Sequence, residues 1–246
     1  MDSADGTPIL AAVGARKRFG SLVVLHDVDF AVRGDEAVGI VGPNGAGKTT
    51  LLNVLAGFLQ PNAGAVHFRG ADVTTAGAAR RCRLGIARTH QVPRPFGGMT
   101  VFENALVAAA TGGGRKGAQA YPTCIDALEL CGLLGAANRR AETLGLLDRK
   151  RLELARALVT DPIVLLLDEI GAGLTDAEAG ELVETIRELR IRGIALVWIE
   201  HIVHVLVQVV TRLVCMDAGR VIADGEPAAV MANAAVIDAY LGSSAA

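Results

Sequence analysis

A glycine-rich octapeptide at residues 42–49, Gly-Pro-Asn-Gly-Ala-Gly-Lys-Thr, limits the folds that this chain can adopt. It matches G-x-x-x-x-G-K-[ST] at every position and lies between an apolar run, Ala37–Val41, and a helical pattern, Thr49–Leu59. Its glycines let the backbone curl so that several N–H groups point at one anion, and the helix N-terminus adds partial positive charge. We call this octapeptide the phosphate loop, because it predicts a strand–loop–helix unit that binds phosphate groups.

An acid pair, Asp168-Glu169, follows a second apolar run, Ile163–Leu167. Two acids after a hydrophobic strand are compatible with a helix cap, but a phosphate loop upstream favours phosphoryl chemistry. Asp168 is expected to hold Mg²⁺ through a water molecule, and Glu169 to polarise an attacking water. Lys48 would reach the β- and γ-phosphates and Thr49 the Mg²⁺. These residues predict metal-assisted phosphoryl transfer to water.

Apolar runs without polar alternation indicate strands that are buried on both faces. Because such runs alternate here with helical patterns, they favour a largely parallel, layered α/β core. The predicted strands are Ala37–Val41, Ile163–Leu167, Ile194–Ile199 and Leu213–Met216, and the predicted helices are Thr49–Leu59, Cys124–Leu133, Arg149–Leu158 and Ala177–Arg190. Two N-terminal runs, Ile9–Val13 and Val23–Val32, are typical of hairpin strands at one edge.

Residues 92–160 differ from this alternation. They contain a Pro-Arg-Pro turn, a glycine-rich linker at residues 112–117 and helices without an obvious strand. We therefore expect a single domain of the α/β class over residues 1–246. Residues 1–91 and 161–246 would form a P-loop NTPase core with an antiparallel edge sheet, and residues 92–160 an inserted α-helical subdomain.

Composition limits the partners and the compartment. The 246 residues carry 24 basic and 26 acidic side chains, and the net charge of −2 argues against a dedicated nucleic-acid binder. Although the mean hydropathy is +0.40, polar residues and proline break the longest charge-free stretch, residues 49–68, so no membrane insertion is expected. An N-terminal apolar run that precedes its basic residues, and four scattered cysteines, predict a protein of the reducing cytosol.

Further residues follow the phosphate loop in a characteristic order. Gln91 lies where the core passes into the helical segment, residues 144–148 precede the helix ahead of Asp168, and His201 comes directly after the run Ile194–Ile199 and Glu200. Together with the phosphate loop and the acid pair, they resemble the nucleotide-binding subunit of ABC transporters over nearly the whole chain.

This resemblance implies ATP and Mg²⁺ as cofactors and gives each residue a role. The residues implied in ATP binding are Phe19, which would stack on adenine, and Gly42, Pro43, Asn44, Gly45, Ala46, Gly47, Lys48, Thr49 and Thr50. Those implied in catalysis are Glu169, His201 and Gln91, and those at the Mg²⁺ are Thr49, Gln91 and, through water, Asp168. The signature loop would be Leu144, Gly145, Leu146, Leu147 and Asp148, and Leu174 and Asp176 would lie in the D-loop.

Other segments resemble one branch of that family, the importers of branched-chain amino acids and their amide and urea relatives. These segments are Arg88–Gln91, Gly98–Asn104, Asp168–Leu174 and Ala239–Gly242. The resemblance implies an ATP hydrolase that energises a membrane importer, as a homodimer or as a heterodimer with a second ABC ATPase. The surface around Gln91–Met99 would dock the permease subunits. The chain would then be cytoplasmic and peripheral, on the cytoplasmic face of the inner membrane.

One departure from the family pattern bears on function. The family signature is L-S-G-G-Q, and this loop would clamp the γ-phosphate of ATP on the opposite subunit. Leu144–Asp148 has neither the serine nor the final glycine, and Leu147 places a branched side chain where backbone should approach phosphate. A subunit that binds ATP but hydrolyses it poorly is therefore an alternative, against which Glu169 and His201 argue. An ABC ATPase acting on ribosomes or DNA is a further alternative, disfavoured by the single cassette and the charge balance.

Three segments outside these motifs receive simpler interpretations. Arg80-Arg81 is expected at the surface, and Arg149-Lys150-Arg151 in a solvated first helical turn that also approaches phosphate. The apolar segment 202–210 predicts a helix that belongs to the core or to a subunit contact.

Overall fold

The phosphate loop is mounted on a six-stranded sheet; the structure, a computed structural model, describes residues 7–242. The strands are β3 (Ala37–Val41), β6 (Ile86–Arg88), β7 (Val164–Asp168), β8 (Ala195–Ile199), β9 (Arg212–Asp217) and β10 (Arg220–Gly225). Their order is β10–β9–β3–β8–β7–β6, with β10 antiparallel to β9 and the other pairs parallel. Every residue of β3, β7 and β8 is buried, which explains their unbroken apolar runs and confirms the predicted parallel core.

A second, antiparallel sheet covers one edge of the molecule. It consists of β1 (Leu10–Phe19), β2 (Leu22–Val32), β4 (Ala63–Phe68) and β5 (Ala71–Asp72), in the order β2–β1–β4–β5. The predicted hairpin is confirmed, although β1 continues beyond Val13 through several register shifts to Phe19. Apolar side chains of both sheets enclose the helix that follows the phosphate loop, so the loop is anchored on two sides.

Helices flank the main sheet and fill the segment between β6 and β7. They are α1 (Lys48–Ala56), α2 (Ala78–Leu84), α3 (Val101–Thr111), α4 (Tyr121–Leu130), α5 (Leu146–Leu158), α6 (Asp176–Ile191), α7 (Val203–Leu206), α8 (Pro227–Met231) and α9 (Ala234–Gly242). Between β6 and β7 the structure has α3, α4, α5 and short 3₁₀ turns. Helix α5 begins three residues before the predicted start at Arg149, because Gly145 takes the N-cap position in an extended conformation.

The apolar segment 202–210 forms less helix than its sequence predicts. Only Val203–Leu206 is helical, after which turns lead into β9. The segment is rich in β-branched valines, which are poor helix formers, and its buried members pack into the main core. Within residues 7–242 no helix combines the length and apolarity that crossing a bilayer requires.

Arg81 overturns the expectation of a surface residue. Its side chain is completely buried, and its guanidinium donates to five backbone carbonyl oxygens at 2.6–3.2 Å. Two of the acceptors, Val54 and Leu55, belong to the last turn of α1, where carbonyl groups lack intrahelical partners. Arg81 thus ties the end of α1 to the loop after β5. Its neighbour Arg80 is exposed, as expected.

Replacing Arg81 by methionine should lower the free energy of unfolding by about 3 kcal/mol, because buried carbonyl groups lose a charged donor. The matched control is Arg80→Met, one position away on the exposed side of α2, which should change stability by less than about 0.5 kcal/mol. Urea unfolding of the two variants and the parent chain checks this. Equal stability of the two variants would show that the carbonyl contacts do not stabilise the fold.

Candidate functional site

The phosphate loop turns sharply as it leaves β3. Gly42 has φ +140°, and a Cβ atom there would lie 2.0 Å from the carbonyl oxygen of Met216 in β9, so only glycine fits. Gly47, with φ +98°, is the N-cap of α1. A Cβ atom at this position would lie 2.9 Å from the carbonyl oxygen of Val24. No side chain caps the N-terminus of α1, so its first N–H groups face the loop and suit an anion.

Lys48 lies buried beneath this loop. Its Nζ donates to the carbonyl oxygens of Gly42 at 2.6 Å and Pro43 at 2.9 Å. Burial lowers the pKa of Lys48, and the nearby carboxylate of Glu169 opposes that shift. A cation held inside the curve of the loop is placed to meet a phosphate oxygen.

One small cavity joins the phosphate loop to the acid pair. Its volume is about 190 Å³, and its lining consists of Val24, Asn44, Gly45, Ala46, Gly47, Lys48, Thr49, Thr50 and Glu169. The structure therefore brings together residues that are far apart in the sequence, because β3 and β7 both end at the same edge of the sheet. In α/β sheets this carboxyl edge is where ligands bind.

Two polar side chains converge on Glu169. The Nε2 atom of Gln91 donates to Oε2, and Nε2 of His201 lies 2.8 Å from Oε1. The backbone of Glu169 has φ +47°, a conformation rare for a residue with a side chain, and its N–H donates to the carbonyl of Ile199 at 2.9 Å. Such a backbone is typical of functional sites, and here it directs the carboxylate into the cavity.

Asp168, the last residue of β7, is held differently. Its Oδ2 accepts from Arg88 at 2.7 Å, whereas its Oδ1 is buried and has no hydrogen-bond partner among the described residues. A buried unpaired carboxylate oxygen is costly, and a water molecule on a bound Mg²⁺ would satisfy it. Together with the hydroxyl of Thr49 in the adjoining cavity, this donor set fits Mg²⁺, which prefers oxygen ligands and retains several waters.

The remaining predicted site residues lie away from this cavity. Phe19 ends β1 with 48% of its surface exposed, and Nζ of Lys17 lies 5.3 Å from its ring centroid. The predicted signature loop, residues 144–148, forms the N-terminus of α5, and Leu146 packs near Gly173 of the predicted D-loop. In the D-loop, Leu174 packs on the core and Asp176 begins α6.

Three further residues, without a predicted catalytic role, lie at the site. Lys150 is buried, contrary to the expected solvated turn, and its Nζ lies 3.5 Å from the carbonyl oxygen of Glu169. Glu200, also buried, accepts from the N–H of Gly171 at 2.6 Å, and burial raises its pKa. The hydroxyl of Tyr240 in α9 accepts from the N–H of Gly42 at 2.9 Å. Glu200 precedes His201 in sequence, a position that could have drawn attention to it.

A larger groove has Arg88, the partner of Asp168, in its wall. Its volume is about 470 Å³, and it lies between α1, α2, β6 and α5. Polar and aromatic side chains in its wall include Phe58, Arg88, His90, Glu153 and Arg156. Next to it, Arg156 lies over the ring of Phe96 at 5.2 Å.

Comparison with known proteins identifies the family. The chain matches the ABC transporter family over residues 25–172 and the branched-chain amino acid ATP-binding cassette transporter family over residues 220–246. It is 39% identical over 250 residues to the high-affinity branched-chain amino acid transport ATP-binding protein LivG of Salmonella typhimurium, covering 96% of this chain and 98% of that protein. It is 35% identical to the corresponding protein BraF of Pseudomonas aeruginosa, with the same coverage.

A solved structure agrees with these relatives. An ATP-binding cassette of an ABC transporter in its ADP conformation superposes with a TM-score of 0.88 at 31% identity, covering 96% of this chain and 99% of that one. The superposition confirms the predicted P-loop NTPase fold of the α/β class. The chain therefore belongs to the ABC transporter family, as an ATP-hydrolysing subunit in the branch of the branched-chain amino acid transport ATP-binding proteins.

Proposed function

We propose that this chain hydrolyses ATP with Mg²⁺ at the phosphate-loop cavity and energises the import of branched-chain amino acids or related amides. The observation that carries the proposal is the position of Glu169, which lines the cavity together with Lys48 and Thr49. The proposed solute is supported by the similarity to LivG and BraF, which are branched-chain amino acid transport ATP-binding proteins.

In this proposal the residues in and around the cavity have distinct tasks. The N–H groups of residues 44–50 and the ammonium of Lys48 bind the β- and γ-phosphates, Gly42 and Pro43 shape the loop around them, and Phe19 stacks on the adenine ring. Mg²⁺, held by Thr49, Gln91 and a water on Asp168, would supply positive charge to the phosphate oxygens. Glu169 accepts a proton from the attacking water, and His201 and Gln91 orient the carboxylate of Glu169 through the hydrogen bonds already described.

Replacing Glu169 by glutamine should reduce ATP turnover at least about 100-fold while ATP still binds, because the amide keeps the shape but cannot accept the proton. Lys48→Ala should weaken binding as well as turnover. Phosphate release and binding of a fluorescent ATP analogue check the two effects separately. Glu129→Gln, on the exposed face of α4, is the control and should behave as the parent chain. Normal turnover of the Glu169→Gln variant would exclude Glu169 as the base.

We further propose the division into a core, residues 1–91 and 161–246, and a helical subdomain, residues 92–160, with the permease seated at their junction. The groove of about 470 Å³ lies there. Next to it, Val92, Phe96 and Met99 expose apolar side chains on the segment after Gln91. This arrangement would hold the chain as a peripheral protein on the cytoplasmic face of the inner membrane.

Placing a charge at Val92 should prevent this docking. Val92 is 65% exposed, so Val92→Glu should leave the thermal midpoint within about 2 °C while the chain no longer sediments with permease-containing membranes. Val13→Glu is the matched control, since Val13 is 52% exposed but lies in the edge sheet. Sedimentation of both variants equal to that of the parent chain would place the permease contact elsewhere.

A second candidate function, a low-activity partner of another ABC ATPase, is favoured by Leu147. The signature loop lies outside the cavity of its own chain, which suits action on the ATP of an opposing subunit in a dimer. Leu147 lies in the first turn of α5, where an approaching phosphate would meet its side chain. In this case a heterodimer with a chain that has an intact glycine signature would be the active form.

If Leu147 restricts that approach, Leu147→Gly should increase the ATP turnover of the isolated chain, by up to about tenfold, equivalent to about 1.4 kcal/mol in the barrier. Leu146→Gly is the control, because it loosens the same helical turn without removing the side chain in question. Turnover is measured for the chains alone and mixed with a candidate partner ATPase. Brisk, cooperative turnover of the parent chain, with no gain in Leu147→Gly, would contradict a low-activity subunit.

A further inference from the structure

We infer that Arg88 is a positioning residue that fixes the two sides of the Mg²⁺ site relative to each other. The inference rests on the proposed roles of Asp168 and Thr49. None of the motifs discussed above gives Arg88 a task, and yet its guanidinium lies between the strand that ends in Asp168 and the helix that carries Thr49. It is nearly buried, with 9% of its side chain exposed.

The first contact is the ion pair with Asp168. Nη2 of Arg88 donates to Oδ2 at 2.7 Å, whereas Oδ1 of the same carboxylate has no partner among the described residues. With Oδ2 held by Arg88, the unpaired Oδ1 is the oxygen that the carboxylate presents most readily to a metal-bound water. Arg88 therefore determines which oxygen of Asp168 faces the site and at what angle.

The second contact leads to Thr49. Nη1 of Arg88 donates to Oδ1 of Asn53, and Nδ2 of Asn53 donates to the carbonyl oxygen of Thr49 at 2.7 Å. Asn53 lies one helical turn after Thr49 in α1, so the bridge holds the first turn of that helix. One planar guanidinium thus connects β7 and α1, which carry two of the three residues proposed at the Mg²⁺, Asp168 and Thr49.

The guanidinium is the group that this geometry requires. Its two Nη atoms reach Asp168 and Asn53 at once from one rigid plane, whereas the ammonium of a lysine is a single point on a flexible stem. A lysine would keep the positive charge that balances the carboxylate of Asp168. The substitution Arg88→Lys would therefore remove the two simultaneous hydrogen bonds and keep the charge.

Arg88 also lines the groove proposed for the permease. Its Cζ lies 5.4 Å from the ring centroid of Phe58, and both side chains are in the groove wall. A segment seated in the groove would touch the face of the same guanidinium that holds Asp168. Arg88 would thus link a permease segment in the groove to Asp168 at the proposed Mg²⁺ site.

The test compares nucleotide affinity with and without metal in Arg88→Lys, which keeps the charge and loses the fork. A fluorescent, non-hydrolysable ATP analogue is titrated in EDTA and at increasing Mg²⁺. We expect the Mg²⁺ concentration that gives half of the maximal gain in analogue affinity to rise at least about fivefold. The affinity for the analogue in EDTA should stay within about twofold of that of the parent chain. Asn53→Ala, which removes only the bridge to Thr49, should shift the Mg²⁺ requirement in the same direction by less.

Arg212→Lys is the matched control. Arg212 also holds two acidic side chains, Glu36 at 2.7 Å and Asp224 at 2.9 Å, but it lies at the opposite end of the sheet. It should leave the Mg²⁺ requirement unchanged. If Arg88→Lys does not fold, Asn53→Ala still carries the test, and an unchanged Mg²⁺ requirement in that variant would overturn the inference.

Asp168→Asn separates this inference from the proposed function. An unchanged Mg²⁺ requirement in Asp168→Asn would remove the metal role of Asp168 itself, and the inference about Arg88 with it. A raised requirement in Asp168→Asn, with Arg88→Lys and Asn53→Ala equal to the parent chain, would overturn only the positioning role of Arg88.

Discussion

The site depends on the close passage of Gly42 beneath β9. A side chain at this position would overlap the carbonyl of Met216, so the absence of one lets β3 stay paired to β9 until Val41 and then turn at once into the phosphate loop. The hydroxyl of Tyr240 accepts the N–H of the same residue, which draws the C-terminal helix onto the loop. Because β7 and β8 run parallel to β3, their last residues reach the same edge, and the acids and His201 meet the loop there.

The three acids at this edge of the sheet have different hydrogen-bond partners. Asp168 is paired with Arg88, which balances its charge in a dry setting, while Glu169 is held by neutral or titratable partners and faces the cavity. Glu200 faces inward, where burial raises its pKa and the N–H of Gly171 satisfies it. Three neighbouring carboxylates at the ends of two strands therefore lie in different surroundings, which supports the separate roles proposed for Asp168 and Glu169.

Much of the fold and the centre of the site were predictable, because their signals are local. Fully apolar runs predicted β3, β7 and β8, and the phosphate loop and the acid pair carry their chemistry in consecutive residues. Arg81, Arg88 and Lys150 were not predictable as buried cations, since each has partners in another element or loop of the tertiary structure: the carboxylate of Asp168 for Arg88, carbonyl groups of α1 for Arg81 and the carbonyl of Glu169 for Lys150. A basic residue is usually solvated, and only the tertiary structure shows which ones replace water by carbonyl or carboxylate groups.

The charges of the site also bear on the proposed role of an opposing subunit. The site contains three cations, Lys48, Arg88 and Lys150. They face an equal number of acids, Asp168, Glu169 and Glu200, so the protein brings little excess positive charge to the cavity. A bound complex of Mg²⁺ with ATP would still be anionic, and the N–H groups of the phosphate loop and α1 would face only one side of it. Helix α5 has an N-terminus without a side-chain cap, outside its own cavity. Such an end, presented by an opposing subunit, would supply the missing donors to the γ-phosphate. In that arrangement Leu147 would leave those N–H groups in place and would affect how closely they approach.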